Sequence, residues 1–278
     1  MKKGGLLFLL LNLFLFRPVL AYDQHSTHPS LTYEIAQFFN GANLNLNYFL
    51  LPQEIEWLKQ GSVEEDEPAR WINHFYDPVH NVGWSGKHLG NLSVEDGYQL
   101  GGDIAPRHSV ASIDWVTNQQ YQAAYGRQYG NQTWQKAIKS YLDGDKEAAF
   151  IALGHVLHLV EDATVPDHVR DDSHPGIEGD PGSPYEVYSK AQTDAGELQT
   201  AESLLRSSRN FKKLQSVNQA IRDLAIYVNK NFFSEDTINN KDFKFPDINN
   251  LEDKNLEGSI YLFDNNLNIY LARQNINN

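Results

Sequence analysis

The chain contains no cysteine. That excludes disulfides, a cysteine-linked lipid anchor and thiolate metal sites, so any metal must be held by His, Asp and Glu. Positive charge is also scarce: 23 Lys and Arg stand against 36 Asp and Glu, for a formal net charge of −13 over 278 residues. Such a balance argues against gripping long duplex nucleic acid or an anionic membrane by bulk electrostatics. It does not exclude either as a substrate, because bound cations reverse the sign of an acidic pocket locally. No basic groove with interleaved aromatics, no internal repeat and no transmembrane helix is found, the longest apolar run being the short one from Leu6 to Phe16.

What is present is an ordinary globular composition, with 41% hydrophobic residues to build a sizeable core. Lys2 and Lys3 precede the run Leu6 to Phe16, and Val19-Leu20-Ala21 offers small residues at the cleavage positions. This is the layout of a secretory signal peptide over 1–21, cut after Ala21, which predicts an exported chain in the periplasm or outside the cell. Cleavage would leave Tyr22 as the first residue and remove Lys2, Lys3 and Arg17, making the chain more acidic still. Periodicity then predicts a mainly helical, all-α bundle over 22–235. A C-terminal extension follows over 236–278, where apolar residues alternate around a turn between Gly258 and Ala272 as in a β-hairpin.

Chemistry concentrates between Ala152 and His168, where His158, Asp162 and His168 follow one another as H-x3-D-x5-H. Residues four apart share a helix face, so His158 and Asp162 point together and His155 falls beside them. Leu153, Val156, Leu157 and Val160 are apolar enough to pack the other side into a core. Pro166 ends or bends the helix, and the chain can then bring His168 back to the same cavity, with Asp167, Asp171, Asp172 and His174 close behind.

Elsewhere, a helix is predicted from about Pro29 with His28 at its mouth and Ile35, Phe38 and Phe39 facing inward. Pro52 opens a short second helix through Trp57. The acids Glu64 to Glu67 precede His74, placing an acidic side chain within reach of a ligand shared with that His. Val79 to Ala111, rich in Gly and polar residues and holding Trp84, His80, His88 and His108, reads as a long loop, and Trp84 and His88 are candidates for a substrate lid. Ser112 to Leu142 returns to helix, with Trp115, Tyr121, Tyr125, Trp134 and Ile138 expected in the core. Asp143-Gly-Asp breaks it before the central helix. Pro184 starts another helix that Tyr185, Val187 and Tyr188 would help bury, with Glu186 free to face the site. Residues 201–211 and 214–233 read as scaffold helices.

Taken together, these pieces resemble the zinc-dependent phospholipase C family, whose fold and metal cluster are shared by the fungal single-strand-specific nucleases. The likeness is sharpest at His74-Phe-Tyr-Asp-Pro78 and at His158-x3-Asp162 followed by Pro166 and His168, and extends more loosely over about 22–190. The resemblance implies up to three zinc ions. One would be held by His74, His158, Asp162 and an acid of the Glu64–Asp66 run, for which Asp66 fits the spacing best. Asp162 would bridge to a second, held also by His28 and by the amine and carbonyl of the mature residue Tyr22. Asp66 and Asp162 would be the catalytic carboxylates. His168 and Glu186 look like ligands of a third zinc, but the family's His four residues before the Glu is Gly182 here. His174 is the preferred replacement, with Asp180, or a weak or missing site, as the alternatives. His155 lies outside the family pattern and is expected to orient a ligand. Zinc on such ligands lowers the pKa of water toward neutrality for attack on phosphorus. The expected activity is phospholipase C, releasing diacylglycerol and a phosphorylated head group from a phospholipid or membrane surface. The alternatives are a nuclease of the same fold acting on single-stranded nucleic acid, and a binding protein that has lost activity.

Overall fold

The computed structural model describes residues 24–42, 48–67, 70–85, 109–174, 182–198, 200–206, 214–238, 240–243, 251–256, 259–265 and 269–273. Tyr22, His88, His108 and Asp180, the segment 1–23 and most of the long loop after Ser85 lie outside them. The protein is mostly helical: α1 (Thr27–Gly41), α2 (Pro52–Glu65), α3 (Ser112–Trp115), α4 (Gln119–Tyr125), α5 (Trp134–Leu142), α6 (Lys146–Asp162), α7 (Pro184–Asp194), α8 (Ala201–Arg206) and α9 (Val217–Asn231). A small antiparallel sheet, β1 (Leu251–Leu256), β2 (Ser259–Asp264) and β3 (Ile269–Arg273), closes the chain in the order β1-β2-β3. Among the described residues no helix is long and apolar enough to cross a membrane.

The central helix α6 sits between two apolar clusters. Asp145 caps its start by accepting a hydrogen bond from the Ala148 amide at 3.1 Å. Val156 and Leu159 pack with Trp115, Val116, Ile221 and Ala225, while Leu153 and Leu157 lie against Ile55, Leu58 and Phe150. Each such side chain contributes about 1.5–3 kcal/mol when buried, so α6 is anchored on two sides. Its approach to α2 is closer than side chains allow: a Cβ on Gly154 would stand 2.1 Å from the Leu58 carbonyl, and one on Gly61 1.9 Å from that of Ile151. Glycine at this crossing lets the two backbones touch, which draws the end of α2, with Glu65 and Asp66, alongside His155 and His158.

Beyond Asp162 the chain leaves the helix, four residues before Pro166, and doubles back. The Tyr76 amide donates to the His168 carbonyl at 2.9 Å and the Ser112 amide to that of Phe75 at 2.9 Å, so the His74-Phe-Tyr strip is pinned between two returning segments. Arg170 ties the same segment to α9, donating to the Asn229 carbonyl at 2.6 Å and to Thr237 Oγ1 at 3.1 Å.

Several local expectations change. The inward face of α1 is Thr27, His28, Thr32 and Ala36, whereas Ile35 is exposed and Phe38 and Phe39 are half-buried. The polar face wins because it is the one that meets α6. Helix α2 continues past Trp57 to Glu65, since nothing in the intervening sequence breaks it. The stretch 112–142 is three short α-helices rather than one, broken at 116–118 and again where Gly126 and Gly130 stand, and Tyr125, Trp134 and Ile138 are exposed while Trp115 is fully buried. Val187 is likewise exposed. The C-terminal sheet has a third strand, β1, drawn from the segment before the expected hairpin, and Leu251 and Leu262 pack against Phe233.

Candidate metal centre

Six segments deliver buried imidazoles and carboxylates to one place. α1 brings His28, the end of α2 Asp66, the short 3-10 turn Trp71–Asn73 His74 at its C-cap, α6 His158 and Asp162, the returning segment His168 and His174, and the first turn of α7 Glu186. All are buried. Asp162 is central: its Oδ2 lies 2.9 Å from His74 Nδ1, 3.2 Å from His158 Nε2 and 3.4 Å from His168 Nδ1, and its Oδ1 lies 3.5 Å from His28 Nε2. Asp66 faces the same rings, 3.6 Å from His158, 3.7 Å from His74 and 3.9 Å from His28.

Three groups have ligand atoms within 4.8 Å of one another: His28, His158 and Asp162; Asp66, His74 and His158; and His168, His174 and Glu186. His158 belongs to the first two, and its ring stacks on that of His28 with centroids 3.7 Å apart. In the third group His174 Nε2 is 3.1 Å from Glu186 Oε1 and 3.3 Å from His168 Nε2. Gly182 takes φ +88°, a conformation that disfavours any L side chain, at the residue before the helix cap Ser183. A histidine there would be strained, and His174 reaches Glu186 from the preceding segment instead.

The donor set suits a borderline cation: imidazole nitrogens and carboxylate oxygens, with no sulfur. Both oxygens of Asp66 and of Asp162, and His168 Nδ1, are buried without a hydrogen bond of acceptable geometry. Buried carboxylate oxygens are rarely left so, and here they converge with ring nitrogens at the separations that ligands of one ion keep. The residues therefore fit a metal.

The electrostatics point the same way. Burial, with Asp162 and Glu186 nearby, pushes the Asp66 carboxyl well above its ordinary range. Burial would raise Asp162 as well, but His168, His158 and His74 around it hold it well below. Burial alone would lower His74, yet Asp162 facing its Nδ1 raises it to about 9. Burial keeps His28 and His168 low, while Glu186 beside His174 lifts that ring. Without a cation the cluster must hold protons in its place.

A set of buried side chains supports these, of which Glu161 was not singled out in the sequence. Glu65 accepts from Arg70 Nε at 2.8 Å and from Trp115 Nε1 at 2.7 Å, and is hydrogen-bonded to His155 Nδ1 at 2.6 Å. His155 thus belongs to a buried network behind Asp66, with Glu64 3.4 Å from its other nitrogen. Glu161 hydrogen-bonds His28 Nδ1 at 2.7 Å, and Asp167 accepts from Ser183 Oγ at 2.6 Å. Glu161 is an ordinary-looking neighbour of Asp162, and only its partner His28, 133 positions away, marks it out. Trp84 is buried, hydrogen-bonded to Ser173 and ring-packed on Phe75, which stacks on His168 at 4.6 Å.

No protein-family model matches the chain, and no curated protein does. Among solved structures it is similar to the alpha toxin of Clostridium absonum, with a TM-score of 0.45 and 16% identity over 75% of this chain and 53% of that one. The alpha-toxin of Clostridium perfringens from an avian strain gives 0.44 and 16% over the same shares. The chain spans about half the length of these structures.

Proposed function

We propose that the cluster is a zinc centre and that the protein is an exported phosphodiester hydrolase of the phospholipase C type. The observation that carries this is the gathering of His28, Asp66, His74, His158, Asp162, His168, His174 and Glu186, all buried, with the oxygens of Asp66 and Asp162 left without a hydrogen bond of acceptable geometry. The resemblance of His74-Phe-Tyr-Asp-Pro78 and of the His158–His168 motif to the zinc-dependent phospholipases C supports the same reading.

Zinc, when bound, supplies Lewis-acid polarisation of phosphoryl oxygens and acidifies water at neutral pH. The protein's part is to hold ligands and manage protons. Asp162, kept ionised by the imidazoles around it, carries the negative charge that the groups share. Asp66 presents its carboxylate to His74 and His158, where it would serve as a ligand and as the catalytic carboxylate. His168, His174 and Glu186 form a separate group, suited to the phosphoryl side of the substrate. Tyr22, at the mature N-terminus, remains part of the proposed ligand set, and Trp84 and His88 remain the proposed lid residues. The scarcity of basic residues favours a phospholipid over a polyanionic strand.

The test is an assay of the zinc-loaded protein on phosphatidylcholine vesicles and on denatured DNA in parallel. Release of phosphocholine and diacylglycerol is expected, falling to background in His158→Ala, which removes the ring shared by two groups. Cleavage of DNA alone would make the protein a nuclease. Absence of bound zinc would leave a binding protein without this chemistry.

A further inference from the structure

In four of the cluster's histidines the ring nitrogen that faces away from the centre has a partner. His158 Nδ1 lies 2.7 Å from the Ser62 carbonyl, His74 Nε2 3.2 Å from that of Glu65, and His174 Nδ1 2.8 Å from that of Asp172. For His28 the corresponding partner is the side chain of Glu161, whose Oε2 lies 2.7 Å from Nδ1. Glu161 is itself held: Thr32 Oγ1 donates to its Oε1 at 2.8 Å. Thr32 stands one turn after His28 on the buried face of α1, so one carboxylate from the end of α6 engages two successive turns of the neighbouring helix. All three side chains are buried.

We propose that Glu161 is a positioning residue. It fixes the His28 ring and commits Nδ1, leaving Nε2 as the atom presented to Asp162 and Asp66 and hence to the metal. This rests on the zinc reading of the cluster. With Nε2 on the metal, the neutral ring keeps its one proton on Nδ1, where the Glu161 carboxylate accepts it. A carboxylate behind a ligating imidazole fixes its orientation and raises its basicity. Glu161 also explains why α1 turns Thr32 and His28, rather than its larger apolar side chains, toward α6.

Glu161→Ala, Glu161→Gln and Thr32→Val, made in the full chain, test this through zinc affinity by chelator competition. Long-range proton–nitrogen NMR of the His28 ring in the zinc-loaded protein provides a second readout. Glu161→Ala is expected to weaken one zinc equivalent roughly 10- to 100-fold and to lose the single Nδ1–H signature of His28. Glu161→Gln, which keeps an acceptor in place, is expected to retain that signature and stay nearer the wild type. Wild-type zinc affinity and an unchanged His28 spectrum in Glu161→Ala would overturn the proposal. Should that variant not fold, Thr32→Val, which removes only the anchor of Oε1, is expected to weaken the same zinc by a smaller factor, and no change would overturn it. A wild-type protein that binds no zinc would instead overturn the zinc reading itself, a result distinct from either.

Discussion

Buried residues of opposite charge decide how this site responds to pH. In the metal-free protein Asp162 raises His74 to about 9, so the ring is protonated at neutral pH and must lose that proton before its Nδ1 can hold a cation. Zinc affinity should therefore strengthen as pH rises from 7 toward 9, by about tenfold per unit for each proton displaced. Calorimetry in buffers of different ionisation enthalpy should count at least one proton released per zinc bound at pH 7.5, and a pH-independent affinity would contradict the assignment. The residues of the cluster were legible as types and spacings, since His158, Asp162 and His168 stand within eleven positions. Their supports were not. Glu161, Glu65 and Thr32 matter through partners on other helices, which no local spacing reveals.

The pair α2 and α6 sets the distance between Asp66 and His158, and that distance depends on Gly61 and Gly154. Gly154→Ala places a methyl against the Leu58 carbonyl, so the helices must separate or shift. The expected cost is about 1–3 kcal/mol of stability, read as a lower melting temperature, together with weaker zinc binding because the end of α2 moves with its backbone. A variant with wild-type stability and zinc content would mean that the contact does not set the site. At this scale the motif helix and its ending near Pro166 were readable from periodicity and from the proline itself. The orientation of α1 was not: its large apolar residues suggested an inward face, yet contact with Glu161 and the centre buries the face of His28, Thr32 and Ala36.

For the whole molecule, the cluster couples helices from distant parts of the chain, so its cation should be part of the fold's stability. Chelation is expected to lower the melting temperature of the zinc-loaded protein by roughly 5–10 °C, the effect of a ligand held at about a hundred times its dissociation constant in a chain of this size. A melting temperature indifferent to chelator would argue against a bound structural or catalytic ion. The sequence by itself determined the mainly helical class, the exclusion of thiolate ligation and the concentration of ligand types around His74 and His158. These follow from composition and from periodicities of a few residues, which are local properties. Tertiary structure alone decided which residues complete the groups. Only folding brings His174 to Glu186, joins His28 to Glu161 across 133 residues, and adds β1 to what looked like a two-stranded hairpin. The physical reason is burial: a carboxylate or imidazole removed from water takes whatever partner the packing of distant helices puts beside it, and that packing is set by apolar contacts spread along the whole chain.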